Sequence, residues 1–157
     1  MIICQIDDLD LITDTMKLPY IWPYIHDDAT DIDGLAVPPP REGYLYYLGV
    51  FNPGYCGFFL VARQNKITYE IHTVLTKNCR AKLAIQAAKL VIDWIFENTD
   101  CERLVTQIPE SNRLAERLAE NAGMTRYGIN PHSFMLNNKT ESQILYGITK
   151  ELKLCQQ

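Results

Sequence analysis

Ile67-Thr68-Tyr69-Glu70-Ile71-His72-Thr73-Val74-Leu75, then Cys79-Arg80-Ala81-Lys82-Leu83-Ala84 and onward to residue 98, then Arg103-Leu104-Val105-Thr106-Gln107-Ile108: this succession decides the fold. The first run is rich in β-branched and aromatic residues and reads as a strand. In the second, Leu83, Ala84, Ala87, Ala88, Val91, Trp94 and Ile95 recur at helical spacing and form one apolar face. Lys82, Gln86, Lys89, Asp93 and Glu97 form the opposite face, so residues 79–98 read as an amphipathic helix. The third run is a short strand that Pro109 stops. Strand, helix and strand in that order predict a parallel pair joined by a right-handed crossover.

Outward from this unit the pattern stays regular. Residues 44–50 and 55–62 are strand-like and flank the turn signal Asn52-Pro53-Gly54, which makes a hairpin. Downstream, Ser111 or Asn112 caps a second helix that runs to Asn121 and ends at Gly123. Residues 124–129, 133–136 and 143–148 read as strands, and the tail after them is polar. Residues 1–43 differ in texture. A short helix over 7–17 leads into an irregular loop with the acidic run Asp27, Asp28, Asp31 and Asp33, the triplet Pro38-Pro39-Pro40, and the aromatics Tyr20, Trp22 and Tyr24 as anchors. The predicted architecture is α/β (α+β): a mixed, mostly antiparallel central sheet with one parallel β-α-β unit and helices on both faces. One domain over 1–157 is expected, with the N-terminal helix and loop in 1–43 and the sheet-helix core in 44–148.

Composition narrows the classes. Of 157 residues, 47% are apolar and 22% charged, enough to build a core and too few charges for a disordered tail. The net charge of −4 and the lack of a basic stripe argue against nucleic acid as a partner. Cys4, Cys56, Cys79, Cys101 and Cys155 are odd in number and irregularly spaced, with no Cys-x-x-Cys pair, so neither a zinc site nor a disulfide framework is expected. The acidic start lacks a secretory signal, and no apolar run approaches the ~20 residues that span a bilayer. A cytoplasmic protein without membrane contact or bound metal is expected.

Two segments carry a resemblance. One is the strand Tyr69-Glu70-Ile71-His72-Thr73-Val74-Leu75 with the following Cys79-Arg80-Ala81-Lys82-Leu83-Ala84. The other is Ile108-Pro109-Glu110-Ser111-Asn112-Arg113-Leu114-Ala115, running on to Ala122-Gly123-Met124, which is similar to an Asn-x-x-Ala element followed by Gly-Phe. Together they resemble the GNAT superfamily of acyl-CoA-dependent N-acyltransferases, over residues 44–130. The Glu-Ile-His strand, the Trp-x-Phe-Glu-Asn-Thr helix end and the Ile-Pro-x-x-Asn-Arg turn further resemble small GNAT-like proteins of tailed phages, some of them virion or head-assembly proteins.

The resemblance implies acetyl transfer from acetyl-CoA to an amine acceptor. It places the CoA pyrophosphate on the loop and first helical turn formed by Cys79, Arg80, Ala81, Lys82, Leu83 and Ala84, whose unpaired amides and helix dipole favour an anion. It places the pantetheine arm along Thr73, Val74 and Leu75, where that strand splays from residues 104–108, with Asn112 nearby. It equally implies an alternative: a GNAT-fold protein without turnover, acting in phage virion or head assembly by binding structural proteins. Its location is then the host cytoplasm or the virion.

Two departures from the family pattern stand out. The family loop reads Gln/Arg-x-x-Gly-x-Gly/Ala, whereas here Cys79, Lys82 and Ala84 hold those places. Side chains at 82 and 83 crowd a phosphate; Arg80 and Lys82 compensate as ligands, although Lys82 also suits the solvated helix face. Many relatives carry a tyrosine that protonates the leaving thiolate, and the matching residue here is Ala119. Tyr127 lies close in sequence, either to substitute or to pack on the sheet.

Glu70 and His72 stand two apart on a strand and share a face. Either one takes the proton of the attacking ammonium, or the two form a structural brace. Asn112 is a ligand or simply a helix cap. His26 and His132 lack ligand spacing and read as surface residues, the Asp27–Asp33 run as a solvated loop or an ammonium attractor, and Cys79 as a thiol at a helix start, where a thiolate is favoured.

Overall fold

The computed structural model describes residues 1–151; Cys155 and the rest of the polar tail lie outside the described residues. Seven strands form one sheet in the order β1-β2-β3-β4-β5-β7-β6. They are β1 (Ile2–Gln5), β2 (Leu45–Phe51), β3 (Tyr55–Arg63), β4 (Thr68–Leu75), β5 (Arg103–Pro109), β6 (Thr125–Leu136) and β7 (Lys139–Thr149). Among the described residues three helices accompany them: α1 (Leu9–Met16), α2 (Lys82–Asn98) and α3 (Arg113–Asn121), with a 3-10 turn at Trp22–Tyr24. β4 and β5 pair in parallel and the other neighbours antiparallel, so the mixed sheet and the crossover through α2 stand as read from the sequence.

Alternation along the strands divides the core. One sheet face, with Tyr46, Leu48, Tyr69, Ile71, Leu104, Ile108 and Tyr146, packs under α2 and α3. The other, with Tyr47, Phe58 and Val74, packs under α1 and the chain around Ile21. Asp8 caps α1 by accepting the Leu11 N–H at 2.9 Å. The buried face of α2 runs further round than expected. Ile92 and Phe96 are in the core, and Trp94 is half-buried, edge-on to Tyr46 at 5.8 Å.

Several boundaries differ from the sequence reading, among them β7, which starts at Lys139 rather than at 143. β1 adds an antiparallel edge to β2, from Ile2↔Phe51 to Gln5↔Leu48, although four residues without alternation gave no strand signal. Residues 124–129 and 133–136 are not two strands but one long edge strand, β6. Its register shifts at Arg126/Gly128 and Asn130/Phe134, the second shift accommodating Pro131, which has no N–H, and His132 at φ 51°. Finally, α2 starts at Lys82 rather than at 79, because Ala81 takes φ 53°, ψ −121° and leaves the helical region.

Candidate active site

β4 and β5 pair only through Thr68↔Arg103, Tyr69↔Leu104 and Glu70↔Val105. Both strands then continue, β4 to Leu75 and β5 to Pro109, without further pairing. Each follows its other neighbour: β4 stays with β3 as far as Gly57↔Leu75, and β5 stays with β7 as far as Pro109↔Gln143. Gly57 makes the first of these possible. It sits at φ 111°, and a Cβ there would lie 2.2 Å from the Val74 carbonyl oxygen. The result is a V-shaped gap whose β4 wall has no ladder partner on the β5 side.

Two connected spaces open at this gap. A cavity of about 580 Å³ is bordered by Glu70, His72, Thr73, Gln107, Ser133 and Gln143, among others. A groove of about 650 Å³ runs from Thr73, Val74 and Leu75 past Arg80, Ala81 and Ala84 to α3. Tyr24, Ile25, Thr73, Val74, Asn112, Ala115 and Leu118 border both.

Glu70 and His72 share a face, as expected. Their Oε1 and Nε2 atoms are 3.5 Å apart, with side chains 17% and 46% exposed. Gln64 Nε2 donates to Glu70 Oε2 at 2.7 Å, which leaves Oε1 for the imidazole. Desolvation lowers the His72 pKa from its usual 6.5 and the Glu70 charge opposes it, a balance that favours the neutral, proton-accepting ring.

The loop before α2 differs in detail from the sequence reading. Arg80, Ala81 and Lys82 are exposed, while Leu83 packs against the core and does not crowd the loop. The left-handed residue is Ala81, at the first corner of a turn that the Leu83 N–H closes onto the Arg80 carbonyl at 3.2 Å. The amides of Arg80, Ala81, Lys82 and Ala84 have no hydrogen-bond acceptor among the described residues, an arrangement suited to an anion. Cys79 borders the groove, but its N–H goes to the Thr76 carbonyl at 3.0 Å. The expected thiolate is corrected: the thiol is 2% exposed, and burial beside Cys56 pushes its pKa up to about 11.

Asn112 caps α3, its Oδ1 accepting the Ala115 N–H at 3.2 Å, and also borders both spaces. Ala119 borders the cavity and carries no hydroxyl. Tyr127 does not border the gap; its ring lies on the sheet, where a Cβ at Gly147 would meet it at 3.3 Å. It is 48% exposed and stacks on Arg103, which lies at the paired end of β5. His26 stacks on Trp22 at 4.6 Å, and His132 is exposed on the β6 bulge. The acidic run is largely tied into structure. Asp28 accepts the Asn137 and Asn138 amides at 2.7 Å each, and Asp27 accepts from Ala29 and Thr30 while bordering the cavity.

Several bordering residues carry no sequence signal. Tyr24 is no anchor but is 57% exposed where the two spaces meet. Gln107 lies on the β5 wall of the gap, and Gln143 reaches the cavity because β7 lies beside β5. Arg117, on the exposed side of α3, borders the groove that Arg80 also lines. Among the described residues no helix is long and apolar enough to cross a membrane.

Protein p31 of Acyrthosiphon pisum secondary endosymbiont phage 1 is 24% identical over 106 residues, which is 67% of this chain and 68% of that protein. Spermidine N-acetyltransferase from Vibrio cholerae, in complex with CoA and spermine, has a TM-score of 0.79 at 15% identity, covering 97% of this chain and 98% of that one. An aminoglycoside acetyltransferase in complex with coenzyme A and kanamycin has a TM-score of 0.75 at 13% identity, covering 98% and 96%. At such identities the likeness establishes the fold, and it is the fold of GNAT acetyltransferases. Residues 42–155 match the family described as protein of unknown function DUF2824, and the chain belongs to that family.

Proposed function

We propose that this protein is an N-acyltransferase that moves acetyl from acetyl-CoA to an amine. The observation that carries the proposal is the parting of β4 from β5 after Glu70↔Val105, with the Glu70–His72 pair at one side of the opening and unpaired amides before α2 at the other. The same parts support binding of a long, anionic thioester. Thr73, Val74 and Leu75 offer strand edge to the amide-rich pantetheine. The amides of residues 80–84, with Arg80, Lys82 and Arg117, receive the phosphates.

In the transfer, the amine nitrogen bonds to the thioester carbonyl carbon, the C–S bond breaks, and the ammonium proton passes to His72. Glu70 faces the ring at 3.5 Å from Nε2 and favours the imidazolium that forms when the proton arrives. Glu70 is thus the positioning partner, held in turn by Gln64. With alanine at 119, the departing thiolate takes its proton from solvent. The acceptor enters from the face that carries Glu70 and Asp27, and two carboxylates bordering that cavity favour a cationic amine.

Thermal denaturation with millimolar CoA and acetyl-CoA tests binding, since a ligand of the native state raises Tm by mass action. A rise is expected. His72→Gln should keep that rise and lose turnover by about 10²–10⁴-fold. No rise with either ligand would leave the second reading, a GNAT-fold protein that binds other phage proteins without turnover. Ala119 in place of the acid is the observation that favours it.

A further inference from the structure

The cavity at the gap does not end at the plane of the sheet. Part of its wall lies on the face of Glu70 and His72. The rest lies behind the sheet, bordered by Ile71 of β4, Ile108 of β5, Ile92 of α2, Ala119 of α3, and Ala122 and Met124 just after it. These belong to the core cluster, yet Ile71, Ala119 and Met124 each keep 6% exposure, Ala122 5% and Ile108 4%. Fully packed neighbours such as Val91 and Leu104 keep none. All six border the cavity, Ile92 at 1% included, so the opening reaches between the sheet and the two helices. By strand alternation, the polar side chains of the gap that turn to this side are Thr73 and Thr106. The two carboxylates bordering the cavity, Glu70 and Asp27, do not border this rear part: Glu70 projects to the other face, and Asp27 belongs to the segment beyond it.

We propose that this rear hollow receives the acyl chain of the donor, so that the site also takes acyl-CoA donors with chains longer than acetyl and binds them more tightly. The inference rests on the N-acyltransferase reading, which puts the thioester carbonyl in the gap between Thr73 and Thr106. From there, carbons beyond the second have an apolar space continuous with the gap. Water gains little in it, because an apolar hollow offers few of the two to four polar partners a buried water needs. The bond changes are those of the acetyl case: the acyl carbon exchanges sulfur for nitrogen, and the ammonium proton goes to His72. The methyl of Ala119 keeps the hollow open, so the residue that removes the acid also makes the room.

Isothermal titration of the full chain with CoA, acetyl-CoA, butyryl-CoA and hexanoyl-CoA tests this. Affinity should rise with chain length, by up to about fourfold per buried methylene and at least about tenfold from acetyl to hexanoyl. Ala119→Leu should flatten the series while CoA itself still binds; if that variant does not fold, the wild-type series decides alone. Binding of CoA and acetyl-CoA with no gain for hexanoyl-CoA overturns the inference and leaves the N-acyltransferase reading standing. A gain that survives in folded Ala119→Leu also overturns it, since the chain then lies elsewhere. Binding of none of the four removes both.

Discussion

Replacing Ala81 with glycine should stabilise the protein, against the usual direction of that change. Ala81 occupies φ 53°, ψ −121°, at the first corner of the turn that precedes α2. An alanine Cβ is strained there, at about 1–3 kcal/mol for such a backbone region. Glycine removes the strain but gives the unfolded chain more freedom, which costs about 0.4–1 kcal/mol. The difference runs from about zero to 2.5 kcal/mol in favour of Ala81→Gly, with a central value of about 1. For a chain of 157 residues that raises Tm by about 2–4 °C. Ala87→Gly is the control. Ala87 is fully buried inside α2, so the same chemical change loses about 1 kcal/mol of helix propensity and about as much again in buried methyl. Differential scanning calorimetry of the three proteins decides the matter. A fall in Tm for Ala81→Gly comparable to that for Ala87→Gly would refute the strained turn, and with it the account of how the unpaired amides are presented.

Three further outcomes follow from the geometry. Gly57→Ala brings a Cβ to 2.2 Å from the Val74 carbonyl oxygen at φ 111°, so a loss of at least about 3 kcal/mol is expected in urea unfolding, and an unchanged midpoint would show that β4 is not held as described. Because burial lowers the His72 pKa in the unliganded protein, kcat/KM should fall as pH drops below the usual 6.5; stability contributed at this site is likewise lost as pH falls below 6.5, since the unfolded chain binds the proton more tightly. An acid limb in kcat/KM above pH 7 would assign the base elsewhere. Arg117→Ala should weaken CoA binding by about fivefold at low salt, the worth of one exposed charge-assisted contact, and leave pantetheine binding unchanged; equal CoA affinity in mutant and wild type would remove Arg117 from the groove.

How much of this was legible beforehand follows from which physical signals a chain displays. The runs from Leu45 to Leu75 advertise themselves as strands through β-branched and aromatic residues, and α2 through its 3.6-residue period. Glu70 and His72 were legible as a pair because a period of two puts them on one face whatever surrounds the strand. β1 is too short to show a period, and the continuity of β6 is hidden by Pro131 and the bulge it occupies. The conformation of Ala81 leaves no trace in its identity, so the missing glycines pointed to Lys82 while the strained backbone lies one residue earlier. Arg117 looks like any solvated helix residue until α3 is packed beside the groove. Tyr24 reads as an anchor because aromatics usually bury, and only the path of the 3-10 turn leaves it at the meeting of cavity and groove. Cys79 reads as a thiolate at a helix start, but the helix starts later and the thiol turns into the core. Composition and spacing thus reveal elements, whereas a site assembled by strand order and backbone torsion emerges only when the chain is folded.

The central claim is that the opening between β4 and β5, with the amides before α2, is the seat of a CoA thioester. Amide chemical-shift changes in the ¹⁵N-labelled chain during titration with CoA test it most directly. Saturable shifts concentrated at residues 71–75, 80–84, Asn112 and Arg117 are expected. An unperturbed spectrum at millimolar CoA, or changes confined to strands remote from the gap, would contradict it.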